Sequence, residues 1–402
     1  MIRKSIPFLL IAATLAGCTA GPDYAGPPEL AAAGGAGGFI RAGDKVSSTV
    51  PELAEWWILL DDPGLDRLIE AALADNPSLE AVGARIAQSR ASLAQENAGR
   101  LPSLGTQATV VQGRLPGLDI QGGPPLPPGT PGMPPEEEDD TISFYNAGLN
   151  ANWEIDFGGG TGRRIEAANA QLAAAVANAE DARVQLTADV ANAYVNLREA
   201  QQRVVRYRLQ SELQEQILVL TYQRYQQGTL PLFPVGNANA ELELLKSQLA
   251  EAEADEAVLL DALAVLTGRA PGAPSLEVAP IGEIPLPPER VAVGDPASLI
   301  ARRPDIRAAE RTLAAATARV GVAEAAKFPK LSFMGILGLG GTSPEDIFDV
   351  GEFSAIAIPR LQWNFLDFGR VDASTGQVRL AARLLQITGR PCLQLCRMPS
   401  AP

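Results

Sequence analysis

The feature that most limits what this chain can fold into is an internal duplication. Asn76-Pro77 opens a helical run that reaches Leu101-Pro102-Ser103-Leu104; a Gly-rich alternating stretch follows, and Trp153-Glu154-Ile155-Asp156-Phe157-Gly158 closes the unit. The same order returns later. Arg303-Pro304 opens a helix that reaches Phe328-Pro329-Lys330-Leu331, another Gly-rich stretch follows, and Trp363-Asn364-Phe365-Leu366-Asp367-Phe368-Gly369 closes it. Pro77 and Pro304 are separated by the same offset as Pro102 and Pro329, whereas the two Asp-Phe-Gly motifs stand closer together. The copies therefore differ mainly by a Pro-rich insertion, Gly117 to Asp140, whose composition marks a surface loop and whose closing Glu136 to Asp140 reads as a solvated charge run.

Each copy supplies two strands. From Tyr145 to Phe157 every odd position is apolar (or alanine) and every even one is small or polar, so the alternation runs without a break. That is long enough to cross a bilayer when tilted, with one lipid-facing and one lumen-facing side. Trp153 and Phe157, with Trp363 in the second copy, are then expected at the membrane interface. Weaker strand signals occupy Leu104 to Gly113, Leu331 to Leu339 and Phe353 to Phe365, the last interrupted by Pro359. Alternation alone would fit a half-buried strand of a soluble sandwich equally well. Four strands cannot close a barrel, and open edges do not survive in hydrocarbon, so a membrane span requires several copies of the chain.

The N-terminus decides between these readings. Arg3 and Lys4 precede an apolar run from Ile6 to Leu15, and Leu15-Ala16-Gly17-Cys18 reads as an export signal ending in a lipobox. Cys18 would become the lipid attachment site, with acyl chains holding the mature N-terminus to a membrane. Thr19 in place of aspartate favours the outer membrane. Beyond the signal no apolar run reaches about 18 residues, so any span must be β-stranded. The net charge of −14 argues against nucleic acid as a partner, and with no histidine the chain lacks the commonest catalytic base and metal ligand. No cofactor is expected. Cys392 and Cys396 lie in a Pro-containing tail from Gly389, where the helical pattern stops; the tail reads as aberrant sequence rather than a metal site.

After Gly158 the pattern becomes a helix from about Ile165 to Gln227, roughly 95 Å long at 1.5 Å per residue. Leu186, Val190, Ala193, Leu197, Ala200, Val204 and Tyr207 recur at steps of four and three, a coiled-coil seam with small residues that allow close packing. Gly228 ends the helix, Thr229 to Pro234 makes a turn, and a second helix returns from Asn237 to Thr267 with Leu242, Leu245, Leu249, Ala252, Leu259, Leu263 and Leu266 in the same period. Glu256 is its one break. The helix from Pro77 to Arg100 and this return helix, laid end to end, nearly match the long one.

Taken together these residues resemble the outer membrane factor family, the TolC-like channels, and within it the NodT-type efflux lipoproteins. The resemblance runs from residue 1 to about 383. It is carried by the lipobox at Cys18, Trp56-Trp57 with Asp62-Pro63 and Leu65, Ala72-Leu73, Asn76-Pro77, Arg224-Tyr225 with Gly228, Leu266-Thr267-Gly268-Arg269 and Arg302-Arg303-Pro304-Asp305-Ile306. It implies a mainly α fold with membrane β-strands: a homotrimer whose twelve-stranded barrel in the outer membrane continues into a long periplasmic helical barrel. It also implies passive export of small solutes or drugs, with a periplasmic adaptor and an inner membrane pump of the resistance-nodulation-division type as partners. Gly228, Thr229, Leu230, Pro231 and Val235 would form the adaptor-docking tip.

The expected organisation is a signal peptide over 1–17, a lipid-anchored segment over 18–60, a first repeat over 61–270, a Pro-rich linker over 271–300, a partial second repeat over 301–388 and the aberrant tail over 389–402. The second copy departs from the family pattern. The stretch from Gly369 to Pro402 is less than a third as long as that from Gly158 to Gly268, so most of a second hairpin is missing. On this reading the chain is a truncated or frameshifted member whose trimer would lack part of its tunnel wall. The alternative is a lipid-anchored structural or adaptor-like coiled-coil protein without a pore. An enzyme is the weakest class, since there is no GxSxG and no P-loop.

Overall fold

A computed structural model describes residues 19–26, 46, 47, 49, 55–114, 141–272, 282–292, 294 and 296–395. The helices are α1 (Pro63–Asp75), α2 (Pro77–Ala98), α3 (Gly160–Gln226), α4 (Phe233–Leu266), α5 (Pro296–Arg302), α6 (Pro304–Ala325) and α7 (Arg370–Leu395). The strands are β1 (Val46–Ser47), β2 (Ser103–Arg114), β3 (Thr141–Ile155), β4 (Val291–Ala292), β5 (Lys330–Gly341) and β6 (Phe353–Gln362). The duplication is visible in the lengths: α2 and α6 have 22 residues each, β2 and β5 have 12 each. Five of these seven helices begin on, or have within their first turn, a proline, where the missing N–H leaves no intrahelical bond unmade.

β2, β3, β5 and β6 form one antiparallel sheet in the order β2-β3-β5-β6, so the two copies join edge to edge at β3 and β5. Leu149 stands opposite Leu337 and Trp153 opposite Phe333 across that join. The described residues divide into two compact units that cut across the repeats: those within 1–25, 91–170 and 313–384 form one, those within 26–90, 171–312 and 385–402 the other. The first holds the sheet and the helix ends attached to it. In the second, α1 packs with Leu186, Val190, Ala191, Tyr194 and Leu197 of α3 and Leu263 of α4 around a core that includes Trp57, Leu65, Leu68 and Ile69.

Several boundaries differ from the sequence reading. The return helix starts at Phe233 rather than Asn237, because Pro234 occupies its first turn instead of the preceding loop. Pro359 does not interrupt β6. It pairs with Phe333 on the strand at the edge of the sheet, the position in a sheet where proline is tolerated. β3 ends at Ile155 and β6 at Gln362, which leaves Phe157, Trp363 and Phe365 just beyond the strands. The expected linker holds β4, paired in parallel with β1, and the start of α5. α7 continues through Gly389 and Pro391 to Leu395, so the helix does not stop where the pattern weakens. The signal segment, Cys18, the loop from Gly117 to Asp140 and Cys396 lie outside the described residues.

Candidate functional site

The sheet has two unlike faces. One carries Leu104, Val110, Leu149, Trp153, Phe333, Leu337 and Leu361, which register side by side across the four strands and are all exposed. The opposite face carries Gln107, Asn146, Asn150, Asn152, Glu154, Lys330, Ser332 and Arg360, with an ion pair between Lys330 and Glu154 at 3.3 Å. This polar face is the crowded one. Asn146 is only 2% exposed there, and a Cβ at Gly148 would come within 2.1 Å of the Leu337 carbonyl, so glycine is required where the strands close up. The even positions are not polar throughout: Met334, Ile336, Ile356 and Ile358 join the same face from the second copy. The alternation that is unbroken in β3 is thus mixed in β5 and β6.

At the end of the sheet where the helices attach, the two expected interface tryptophans play equivalent parts. The Trp153 indole N–H donates to the Arg100 carbonyl at 3.0 Å, and the Trp363 indole N–H donates to the Lys327 carbonyl at 3.0 Å. Arg100 and Lys327 are separated by the same offset as the paired prolines. Each tryptophan therefore satisfies a carbonyl just past the end of α2 or α6, while Phe333 and Phe365 lie beside them. Phe157 is half exposed in the same region. Asp156 accepts from the Gly162 amide, and Asp367 accepts from the Gly369 and Val371 amides, so both Asp-Phe-Gly motifs cap the helix that follows. The amides of Val371 and Gly369 hold the Asp367 carboxyl below the usual range.

In the other unit, the motifs noted from sequence meet one another. Asp62 caps α1 by accepting from Gly64 and Leu65, and also accepts from the hydroxyl of Tyr194 at 2.9 Å. Arg198 donates to the same hydroxyl from Nη2 at 2.7 Å and lies buried with Gln201. Burial, and then the bond to Asp62, push the Tyr194 phenol up. Asn76 caps α2 through Ser78 and donates to the Leu266 carbonyl at 2.8 Å. Gly268 has φ +74, and a Cβ there would lie 2.3 Å from the Asp75 carbonyl. The Asn76-Pro77 and Leu266-Thr267-Gly268 signatures are thus two halves of one contact. In the second copy, the bond from Arg303, then the Ile306 amide, hold the Asp305 carboxyl low despite its partial burial.

The hairpin tip is closed at Gly228, where the sequence puts the end of the first helix, but its turn is shorter than Thr229 to Pro234 because the return helix begins at Phe233. Gly228 has φ +70, its amide donates to the Tyr225 carbonyl, and the Thr229 amide donates to the Arg224 carbonyl at 3.0 Å, a Schellman closure of α3. Thr229 reinforces it with its hydroxyl, also to Arg224. Gly228, Thr229 and Pro231 are exposed, Leu230 is half buried, and Val235 stands in the first turn of α4 rather than in the turn. Beside them Leu232 and Phe233 are 59% and 75% exposed. Along the hairpin the predicted seam is buried at Leu186, Val190, Leu197, Ala200 and Val204 and half-buried at Ala193, and Arg203 and Arg208 reach Asp255 and Glu253 on α4. Towards the tip Leu209, Leu213, Ile217 and Leu220 remain exposed. No group of residues that could hold a metal ion occurs among the described residues, and none of their helices is long and apolar enough to cross a membrane.

Comparison with known proteins agrees with this geometry. The sequence profile of the outer membrane efflux protein family matches residues 68–269 and 296–386. The chain is 28% identical over 385 residues to nodulation protein T of Rhizobium leguminosarum bv. trifolii, covering 94% of this chain and 76% of that one. It is 30% identical over 363 residues to outer membrane protein OprJ of Pseudomonas aeruginosa, covering 90% and 72%. Its structure superposes on that of the outer-membrane channel OprN with a TM-score of 0.81 at 29% identity, covering 94% of this chain and 80% of OprN.

Proposed function

We propose that this chain, which belongs to the outer membrane efflux protein family, acts as a channel subunit through which small solutes delivered from an inner membrane pump leave the cell across the outer membrane. The observation that carries the reading is the sheet: four antiparallel strands with open edges at β2 and β6, one apolar exposed face and one crowded polar face. Unpaired edges are intolerable in hydrocarbon, so β2 of one copy must pair with β6 of the next until the ring closes. Three copies give twelve strands. Passage through such a barrel is passive, past the carboxamides and charges of the polar face. The family is one of channels, and this reading assigns the chain no catalytic step.

The same reading assigns Cys18 as the acylated residue that joins each subunit to outer membrane lipid. It assigns the turn from Gly228 to Pro231, with Leu232, Phe233 and Val235 behind it, to a periplasmic adaptor of a resistance-nodulation-division pump. Leu209, Leu213, Ile217 and Leu220 are assigned to contacts between copies, which would bury apolar area at about 25 cal/mol per Å². The test is to express the full precursor, extract the outer membrane in mild detergent, and weigh the particle. A mass of three acylated chains is expected. A monomer in the outer membrane, or a chain confined to the periplasm, would overturn the assignment.

A further inference from the structure

A buried cation at the start of α3 is left unexplained by a channel wall. Arg163 has a side chain 4% exposed, and its guanidinium donates to four acceptors. Nε reaches the Ala20 carbonyl at 3.0 Å, Nη2 reaches the Gly21 carbonyl at 3.2 Å and Asp23 Oδ1 at 2.6 Å, and Nη1 reaches Glu166 Oε2 at 2.7 Å. Three of these four lie within Ala20 to Asp23, some 140 residues away in sequence. A guanidinium is tolerated out of water only when its donors are met, and its rigid fork suits several acceptors at once where an ammonium would not.

The segment is held on its other sides as well. The Ala20 amide donates to the Gly158 carbonyl, and Ala20 is buried. Gly21 has φ +86, and a Cβ there would stand 2.4 Å from Gly321 Cα on α6; a Cβ at Gly321 would come within 2.8 Å of the Ala20 carbonyl and 2.9 Å of the Arg163 side chain. Gly159, at φ +72, faces Thr19 in the same way at 3.0 Å. Glycine is thus required on both sides of the contact. The strap is gripped by the strand-to-helix junction of the first repeat and by a helix of the second.

We propose that Arg163 is a positioning residue: it seats residues 19–23 on this junction, and so fixes where the lipid anchor enters the membrane relative to the sheet. The proposal rests on the reading that Cys18 is acylated. One peptide bond joins Thr19 to Cys18, so an anchor on Cys18 follows the strap.

The test uses the full chain in lipid nanodiscs, with Cys392 and Cys396 replaced by serine and spin labels at Ala25→Cys and Gln95→Cys. The distance between labels is read by pulsed electron paramagnetic resonance, and the mass of the intact chain reports acylation. The parent Arg163 should give one narrow distribution. Arg163→Met should broaden it at least twofold with the acyl mass retained, and Arg163→Lys should fall between, since one ammonium cannot span the acceptors. Asp23→Asn, which keeps an Oδ1 acceptor for Arg163 and removes only the charge at a side chain 86% exposed, should broaden it measurably even if Arg163→Met fails to fold. A broad distribution in the parent chain, or no broadening in either Arg163→Met or Asp23→Asn, would overturn the seat. An unmodified Cys18 would overturn the anchor half of the proposal, while the distances still judge the strap.

Discussion

The two repeats match in their first long helix, first strand and helix-to-strand junctions and differ in the strand and helix that follow. Both begin with a 22-residue helix, both carry a tryptophan that closes on the carbonyl at the end of that helix, and both cap the next helix with an Asp-Phe-Gly aspartate. Between those points β3 has 15 residues against 10 in β6, and the polar face of β3 meets Met334 and Ile336 from β5. α3 runs for 67 residues where α7 is described for 26. Junctions depend on single directed hydrogen bonds, which a substitution breaks outright. Faces depend on an average over many side chains, which can drift while the sheet still separates lipid from water.

On that ground the largest effects come from the shared apolar face. Leu149→Arg in the first repeat and its cross-strand neighbour Leu337→Arg in the second should each lower the stability of the membrane-inserted sheet by about 2–4 kcal/mol. Arg at Asn150 or Ile336, one residue along on the polar face, should do far less in either repeat, as read by the folded fraction in lipid vesicles across a urea series. Unequal losses at 149 and 337, which face each other across the join of β3 and β5, would show that the two copies do not contribute evenly to one apolar face.

The cluster around Tyr194 belongs to the first repeat and sharpens the contrast. Tyr194→Phe leaves Asp62 and Arg198 without their shared hydroxyl and should cost about 1–3 kcal/mol in thermal unfolding. Because burial raises the phenol's pKa, the folded state holds its proton more tightly than the unfolded one. Its stabilising contribution is present below about pH 10 and is lost as the pH rises further. The Phe variant should lose that alkaline slope.

Smaller and equal losses are expected at the junction latches. Trp153→Phe and Trp363→Phe each remove one indole donor and should each cost about 1 kcal/mol by the same melt. Smallest is the acid response of the second repeat. Asp305 and Asp367 are held below the usual carboxylate range, so their contribution is complete above about pH 4 and falls away as the pH drops through their folded values. An Asp305→Asn, Asp367→Asn double variant should show a shallower loss of Tm on acidification than the parent chain.

Much of this architecture is legible in the residues. The proline-started helices, the unbroken alternation in β3 and the Gly228 turn are local patterns, each with one conformation that suits it. What escapes the sequence is long-range. Nothing near Arg163 signals that its donors belong to residues 140 positions earlier, because arginine at the start of a helix is usually a solvated side chain. The tryptophans read as interface residues from their rings, and their N–H bonds to Arg100 and Lys327 carry no local mark. Pro234 reads as part of a loop because proline fits a turn and a first helical turn equally well. The mixed face of β5 and β6 shows why those strands give weaker signals than β3.

Copies of this chain that close their open sheet edges on one another enclose a water-filled pore. The most direct test of that closure is the conductance of the purified, acylated oligomer in a planar lipid bilayer. Discrete, ohmic steps are expected from the parent chain and from the Asn150→Arg variant, with none from Leu149→Arg. A parent chain that inserts folded into the bilayer and passes no current would contradict it.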